Sequence, residues 1–405
     1  MNVDELLKKH APSTTGMRDE AGRLRSDVLT TALAETGDSY ATVLPRVRRR
    51  RTLVRLTAAA AVLAVVGAGL SLTFGGSSPA SAAQERFTNA GAAPAYGTYG
   101  AFSAGRTVYI GNHQVTFDEK IKAMYYTSEG VLVRMGRVDY TDDNGPSHYS
   151  LIRPDGSHSN IDLRMGDRVV ATDPSSPDVA YAEPAGKRWS FVVVNLVTGK
   201  EVARTTVDGA FTWGGWEAPP VTMAGHRMWA LFDAGWMEYD WKSGATRMIP
   251  GTKNAPLSAA HGQFLQPTDK DETHWALRDF VTGRTLQTVQ LRPATDDDMG
   301  HVPSPELSPD GRFIRLDAHY TGYDDKDNLI QGPGPFQFIA IASGKVVDLD
   351  RSGPLGWTPG GNTLEVDAKS DKLVVCKPAT GRCDRIDLPI SGEGKVKLGG
   401  LPYES

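Results

Sequence analysis

Between residues 127 and 383 the chain alternates two kinds of turn. The first leads from small or polar residues into alternating apolar positions: TSEGVLVRM at 127–135, SPDVAYAE at 176–183, MAGHRMWALF at 223–232, AAHGQFLQP at 259–267, LSPDGRFIRL at 307–316 and TPGGNTLEV at 358–366. The second follows each of these and centres on Gly156, Gly199, Gly244, Gly283, Gly344 and Gly381, as in VVNLVTGKEVA and LRDFVTGRTLQ. Period-two hydrophobicity on both sides of a tight glycine turn reads as a β-hairpin. The five intervals from Gly156 to Gly381 average 45 residues, so two hairpins recur in each. That is the spacing of a four-stranded propeller blade. A sheet this small cannot hide its apolar faces alone, and stacking blades around an axis buries them against neighbours.

The reading is therefore all-β: a β-propeller of four-stranded blades. The hairpin RTVYIGNHQVTFD at 106–118 and a strand near GKVKLGG at 394–400 lie outside the six repeats. Together they complete a seventh blade from both chain ends, which is favoured; six blades is the alternative. Within a unit the two turns are usually about 20 residues apart. The two wider gaps coincide with the polar insertions VDYTDDNGP and TGYDDKDNLIQGPGP.

LSPDGRFI at 307–314 resembles the S-P-D-G repeat of TolB-type and WD-like propellers, with SPDVAY and TPGGNTL similar to degenerate copies. The wider layout, with an Arg-rich arm at 1–55, an Ala-rich run at 56–74, a Gly/Ala segment after it and the C-x6-C hairpin of Cys376 and Cys383, is similar to membrane-anchored propellers of high-GC Gram-positive bacteria. That resemblance implies a fold for residues 105 to 390 and little about function, because propellers serve many roles.

A second feature is the apolar run LTAAAAVLAVVGAGLSLTF, residues 56–74, which holds no charge and no proline. At about 1.5 Å per residue a helix of this length reaches roughly 28 Å, close to a bilayer's hydrocarbon core. Arg46, Arg48, Arg49, Arg50, Arg51 and Arg55 crowd its N-terminal edge, and no Lys or Arg follows until Arg86. By the positive-inside rule this is a single-pass span with the N-terminus cytoplasmic and the propeller extracytoplasmic. The competing reading is a signal peptide cleaved after Ala82, at the small-residue pattern Ala80-Ser81-Ala82; a leader of this length and hydrophobic extent is unusual for that role.

The expected organisation is thus a basic helical arm at 1–55, a transmembrane helix at 56–74, a flexible Gly/Ala/Ser/Pro linker at 75–104 and an extracytoplasmic propeller at 105–405. The arm carries an apolar stripe (Met17, Ala21, Leu24, Val28, Ala32) and is too small to bury a sizeable core alone. It is therefore expected to meet a partner, pair with a second copy or stay partly ordered. In layout the chain resembles membrane-bound anti-sigma factors. The His/Cys cluster of their zinc-binding members is missing, since no cysteine precedes Cys376. Arm and span together carry +4, which leaves −8 on the rest, a balance that does not suit nucleic acid.

Cys376 and Cys383 flank the turn KPATGR, where facing strands make a disulfide geometrically feasible and an oxidising compartment favours it. Five tryptophans (Trp213, Trp216, Trp229, Trp236, Trp241) fall within 29 residues. Trp213 and Trp216, with Trp357, lie in connections between blades and form a candidate ligand or partner face; wedging between blades is the simpler role for such rings. The acidic stretches Asp139 to Asn144, Asp296 to Asp298 and Asp324 to Asn328 do not follow the twelve-residue calcium loop and read as solvated turns. No P-loop, dinucleotide-binding glycine motif, nucleophile elbow or paired-histidine zinc motif occurs. No catalytic residue, metal ligand or cofactor is assigned. The expected function is non-catalytic protein interaction or sensing at the membrane, linked to a cytoplasmic partner. The alternative is a ligand- or glycan-binding, or glycan-active, propeller retained there.

Overall fold

The computed structural model describes residues 79–138, 147–163, 170–212, 217–250, 258–269, 273–291, 305–316, 321–323, 329–331, 336–351, 355–367, 370–390 and 396–400. Seven four-stranded antiparallel sheets account for nearly all of them. The innermost strands, in order round the ring, are Val396–Leu398, Lys120–Thr127, Ala171–Thr172, Val221–Ala224, Ser258–Ala260, Glu306–Leu307 and Gly356–Trp357. They belong to blades 1 to 7, in that order. Blade 1 takes its inner strand from the C-terminal region and its outer three from residues 101–116, with Phe102 paired to Leu398 and to Tyr109. Seven blades is the arrangement favoured from sequence. A ring closed by both ends leaves no unpaired inner strand and joins the two termini of the repeat region.

The twelve turns fall where the repeats place them. Gly156, Gly199, Gly244, Gly283, Gly344 and Gly381 each adopt a φ between 64° and 81°, a region that β-carbon sterics disfavour for other residues. Asparagine or aspartate four residues earlier completes three of these turns. Asp279 Oδ1 accepts the amides of Val281 and Thr282 and the Thr282 hydroxyl, while Thr282 Oγ1 accepts the Arg284 amide. Asn195 with Thr198, and Asp240 with Ser243, repeat the arrangement. The recurring Thr/Ser-Gly is thus a hydrogen-bonded turn that fixes hairpin register.

Each of the seven seams between blades holds one apolar cluster. Trp229, Trp275 and Trp357 are among the largest fully buried side chains, each removing an aromatic surface from water. Polar ties reinforce the seams: Gly225 N donates to Asp173 Oδ2 at 2.6 Å, and Arg227 donates to the Phe280 carbonyl at 2.8 Å.

The expectation of a flexible linker from 75 to 104 is corrected from Pro79 onward. Helix α1 spans Pro79–Asn89, α2 spans Ala92–Tyr99, and Ala101–Ala104 is a strand of blade 1. The Gly/Ala/Pro content resembles a tether, but Ala83, Phe87, Ala95, Tyr96 and Tyr99 are buried, and Phe87 meets Tyr99 edge to face at 4.9 Å. Gln84 both donates to the Asp387 carbonyl and accepts its amide, covering the outer strand of blade 7. Small residues here allow close approach to the sheet. The arm and the apolar run 56–74 lie outside the described residues, among which no helix is long and apolar enough to cross a membrane.

Candidate functional site

Strand topology gives the ring two unlike faces. Turns joining the first strand to the second and the third to the fourth emerge on one face, and they are short: 225–226, 261–262, 196–199 and 241–244. Helix α2 braces this face, since Tyr96 donates to the Gly130 carbonyl at 2.7 Å and Gly360 N donates to the Gly97 carbonyl at 2.9 Å. Connections from second to third strand and from blade to blade emerge on the other. They include 137–147, 208–220, 291–305 and the segment between Leu316 and Phe336, which carries an extra hairpin of Thr321–Tyr323 with Leu329–Gln331. The described strand ends that flank both polar insertions, Gly136 and His148, Leu316 and Phe336, lie at this loop face.

The axis of the ring offers a cavity of about 110 Å³ lined in part by Met124, Thr172, Thr222, Ser258, Glu306 and Gly400. Its one carboxylate, Glu306, lies 2.6 Å from Arg315 Nη2 on the neighbouring strand and accepts the Trp357 indole N–H at 3.1 Å. Arg315 is 5% exposed, donates to the Leu355 carbonyl, and sits 5.6 Å from the ring centres of Phe336 and Trp357. This charge pair ties blade 6 to blade 7. Ser258 Oγ similarly accepts the Leu307 amide from the next blade. Tyr126, whose hydroxyl donates to the Trp357 carbonyl and accepts the Ala101 amide, has its pKa pushed up by burial. Glu306, Ser258 and Tyr126 are thus engaged in holding the ring together, around a space far below the roughly 300 Å³ of a small-molecule pocket.

A larger cavity, about 520 Å³, opens on blade 2 near the loop face. Phe117, Met135, Tyr149 and Ile161 supply apolar lining, while Asp118, Glu119, His148 and Asp162 supply ionisable groups. His148 Nδ1 lies 2.8 Å from Glu119 Oε2, with side chains 61% and 32% exposed. A second oriented imidazole stands on blade 5, where His274 Nδ1 is 2.6 Å from Asp269 Oδ2. Hydrogen bonds from the Thr273 hydroxyl and His274 hold the Asp269 carboxyl below the usual range. The two imidazoles belong to different blades and do not form one site. Among the described residues no three His, Cys, Asp or Glu side chains converge to hold a metal.

Cys376 and Cys383 form the expected disulfide across the outer hairpin of blade 7, at directly paired positions. Trp357 does not offer its indole to a ligand: it is 1% exposed, on the innermost strand of blade 7, against Phe338 and Arg315. It takes the wedging role, because its place at the start of a short inner strand turns the ring into the seam. Trp229 and Trp236 share that fate at 1% and 2% exposure, and Trp241 packs on the seam between blades 3 and 4. Trp213, Trp216, the six arginines at 46–55 and the three acidic stretches lie outside the described residues. Sequence reasoning missed the Glu306–Arg315 pair, whose only signal is one charge among the apolar residues on each strand of the hairpin PELSPDGRFIRL. It also missed the blade 2 cavity, which depends on residues from four separate strands and connections.

No family model matches the chain, and no curated protein does. Solved structures that align with it include TolB from Acinetobacter baumannii, at 13% identity and a TM-score of 0.35, covering 74% of this chain and 66% of that one. AztD from Citrobacter koseri aligns at 10% identity and 0.40, covering 73% and 96%. Kuenenia stuttgartiensis hydrazine synthase aligns at 11% and 0.39, covering 67% and 80%. Such values carry no argument about activity. The propeller assignment rests on the seven sheets and their closure.

Proposed function

We propose that this chain is a non-catalytic recognition module: a rigid seven-bladed ring, exported and held by the span at 56–74, that binds a protein partner through its loop face. The cytoplasmic arm, in this reading, contacts a second partner by its apolar stripe. The observation that carries the reading is the asymmetry of the ring. One face has short turns braced by α2, whereas the strand ends joined by the long connections, among them those that flank both polar insertions, lie at the other. Variable connections on a rigid scaffold are the usual place for recognition. The disulfide fits an oxidising compartment, and the arginines at the inner edge of the apolar run fit the orientation.

The test is site-specific photo-cross-linking in the native host. A cross-linker at Asp208 or Glu217, on the loop face, is expected to yield a discrete protein adduct, while one at Thr198 or Thr282, on the turn face, is not. Adducts from the turn face alone would assign recognition to the wrong side and end this proposal.

A further inference from the structure

The disulfide across the outer hairpin of blade 7 presents its two sulfurs unequally. Cys376 is 1% exposed on the strand Lys372–Lys377, whereas Cys383 is only partly buried on Arg382–Asp387, the outermost strand. A thiolate that opens a disulfide enters on the far side of the attacked sulfur from the one that leaves. For Cys383 that path passes the last strand of the sheet, on the face opposite Asp384, which holds α1 through Arg86. For Cys376 it runs toward Thr363, its paired residue on the next strand inward, which is itself 1% exposed. Charge distinguishes the sulfurs a second time. Arg351 Nη2 lies 4.0 Å from Cys376 Sγ, while its Nη1 lies 3.4 Å from Glu365 Oε2, a buried oxygen that accepts no hydrogen bond from the described residues. The carboxylate thus holds one side of the guanidinium and the other side faces sulfur. A cation there favours the thiolate of Cys376 and makes it the better leaving group.

We infer that this pair is a thiol-exchange site, at which the thiolate of a small thiol attacks Cys383 and Cys376 leaves as a thiolate held by Arg351. A new S–S bond joins Cys383 to the small thiol, the bond between the two cysteines breaks, and its electron pair passes to Cys376. A second equivalent of thiol then removes the first as a symmetrical disulfide, so that two electrons enter the pair and Cys383 takes up a proton. The event reaches α1, because the strand that carries Cys383 binds Arg86 through Asp384 and Gln84 through the Asp387 backbone. This site does not depend on the recognition reading above.

The experiment gives the full oxidised chain, in detergent micelles, short pulses of millimolar glutathione, then quenches with acid and alkylates with N-ethylmaleimide. Trypsin cleaves after Arg382 and so places the two cysteines in separate peptides for mass spectrometry. Glutathione on Cys383 with maleimide on Cys376 is expected, in about tenfold excess over the reverse labelling. Arg351→Met should slow adduct formation about fivefold, and Arg351→Lys, which keeps the charge, should restore most of it. A variant that merely loosened the hairpin would react faster, so an unchanged or faster rate in Arg351→Met overturns the role of Arg351. Glutathione on Cys376, or on both cysteines equally, overturns the assignment of the attacked sulfur. Maleimide on both cysteines at every time, with no adduct, shows that Cys376 returns to the mixed disulfide too readily to be a held thiolate, and overturns that role. A pair still closed at the longest pulse overturns the site. In the adduct, amide exchange across α1 should quicken while that of blade 3 stays the same; unchanged exchange in α1 overturns its link to the pair.

Discussion

Replacing Arg315 by methionine tests whether the axial charge pair holds the ring. The arginine side chain is 6% exposed and Glu306 is 19% exposed, with 2.6 Å between their charged atoms. Methionine keeps much of the stem's volume against Phe336 and Trp357 but leaves a largely buried carboxylate without its guanidinium. Breaking a buried pair from one side costs about 3–5 kcal/mol, because the remaining charge stays desolvated. The double variant Arg315→Met, Glu306→Gln removes that charge and should recover at least half of the loss. Arg86→Met, whose partner is Asp384 at 2.9 Å in a pair 57% and 26% exposed, serves as control and should cost less than about 1 kcal/mol. Urea unfolding of the full chain followed by tryptophan fluorescence reads the difference. With a slope of about 3 kcal/mol/M, the single variant shifts the midpoint by about 1 M or more. A shift no larger than that of Arg86→Met, or a double variant worse than the single, would refute the assignment of Arg315 as an inter-blade tie.

Gln84→Ala removes both hydrogen bonds to the Asp387 backbone, so amide exchange at Asp387 should accelerate, with a loss of about 1 kcal/mol per bond. Reducing Cys376–Cys383 opens a short loop and should loosen Lys372–Asp387 by about 2 kcal/mol, seen as faster exchange in that hairpin while blade 3 is unchanged. Hydrogen bonds from the Thr282 amide and hydroxyl depress the Asp279 pKa, so its contribution is complete above about pH 4 and is lost as pH falls through the folded-state value. Asp279→Asn, which copies the natural Asn195 turn, should remove that acid sensitivity from Thr282 amide exchange while preserving the turn near neutrality.

The repeat of turns is legible in the sequence because every one of them is closed locally. The glycines of the second turn adopt left-handed φ, and in five of the six the Thr or Ser just before the glycine accepts the amide two residues on. The period of two then places apolar residues in the seams, and the leftover segments 106–118 and 394–400 supply the closing blade. Residues 79–99 mislead because their composition matches that of a flexible tether. What orders them is packing of the two helices on each other, Phe87 on Tyr99, and on the blades, as with Gln84 on a strand some 300 residues away in sequence. Trp357 invites an outward reading because its connection lies between blades; its register, paired with Thr363 on an inner strand, turns it into the seam. The cavity on blade 2 and the Glu306–Arg315 pair depend on tertiary neighbours, so neither leaves a local motif.

The location of the ring underlies every functional statement made of it, and an epitope appended after Ser405 reads that location directly. Antibody added to intact, wall-stripped cells should bind without permeabilisation, and should remain with the membrane fraction after salt washing. Binding that requires permeabilisation would place the ring in the cytoplasm and contradict export, the orientation drawn from the arginines, and the partner-facing role of the loop face together.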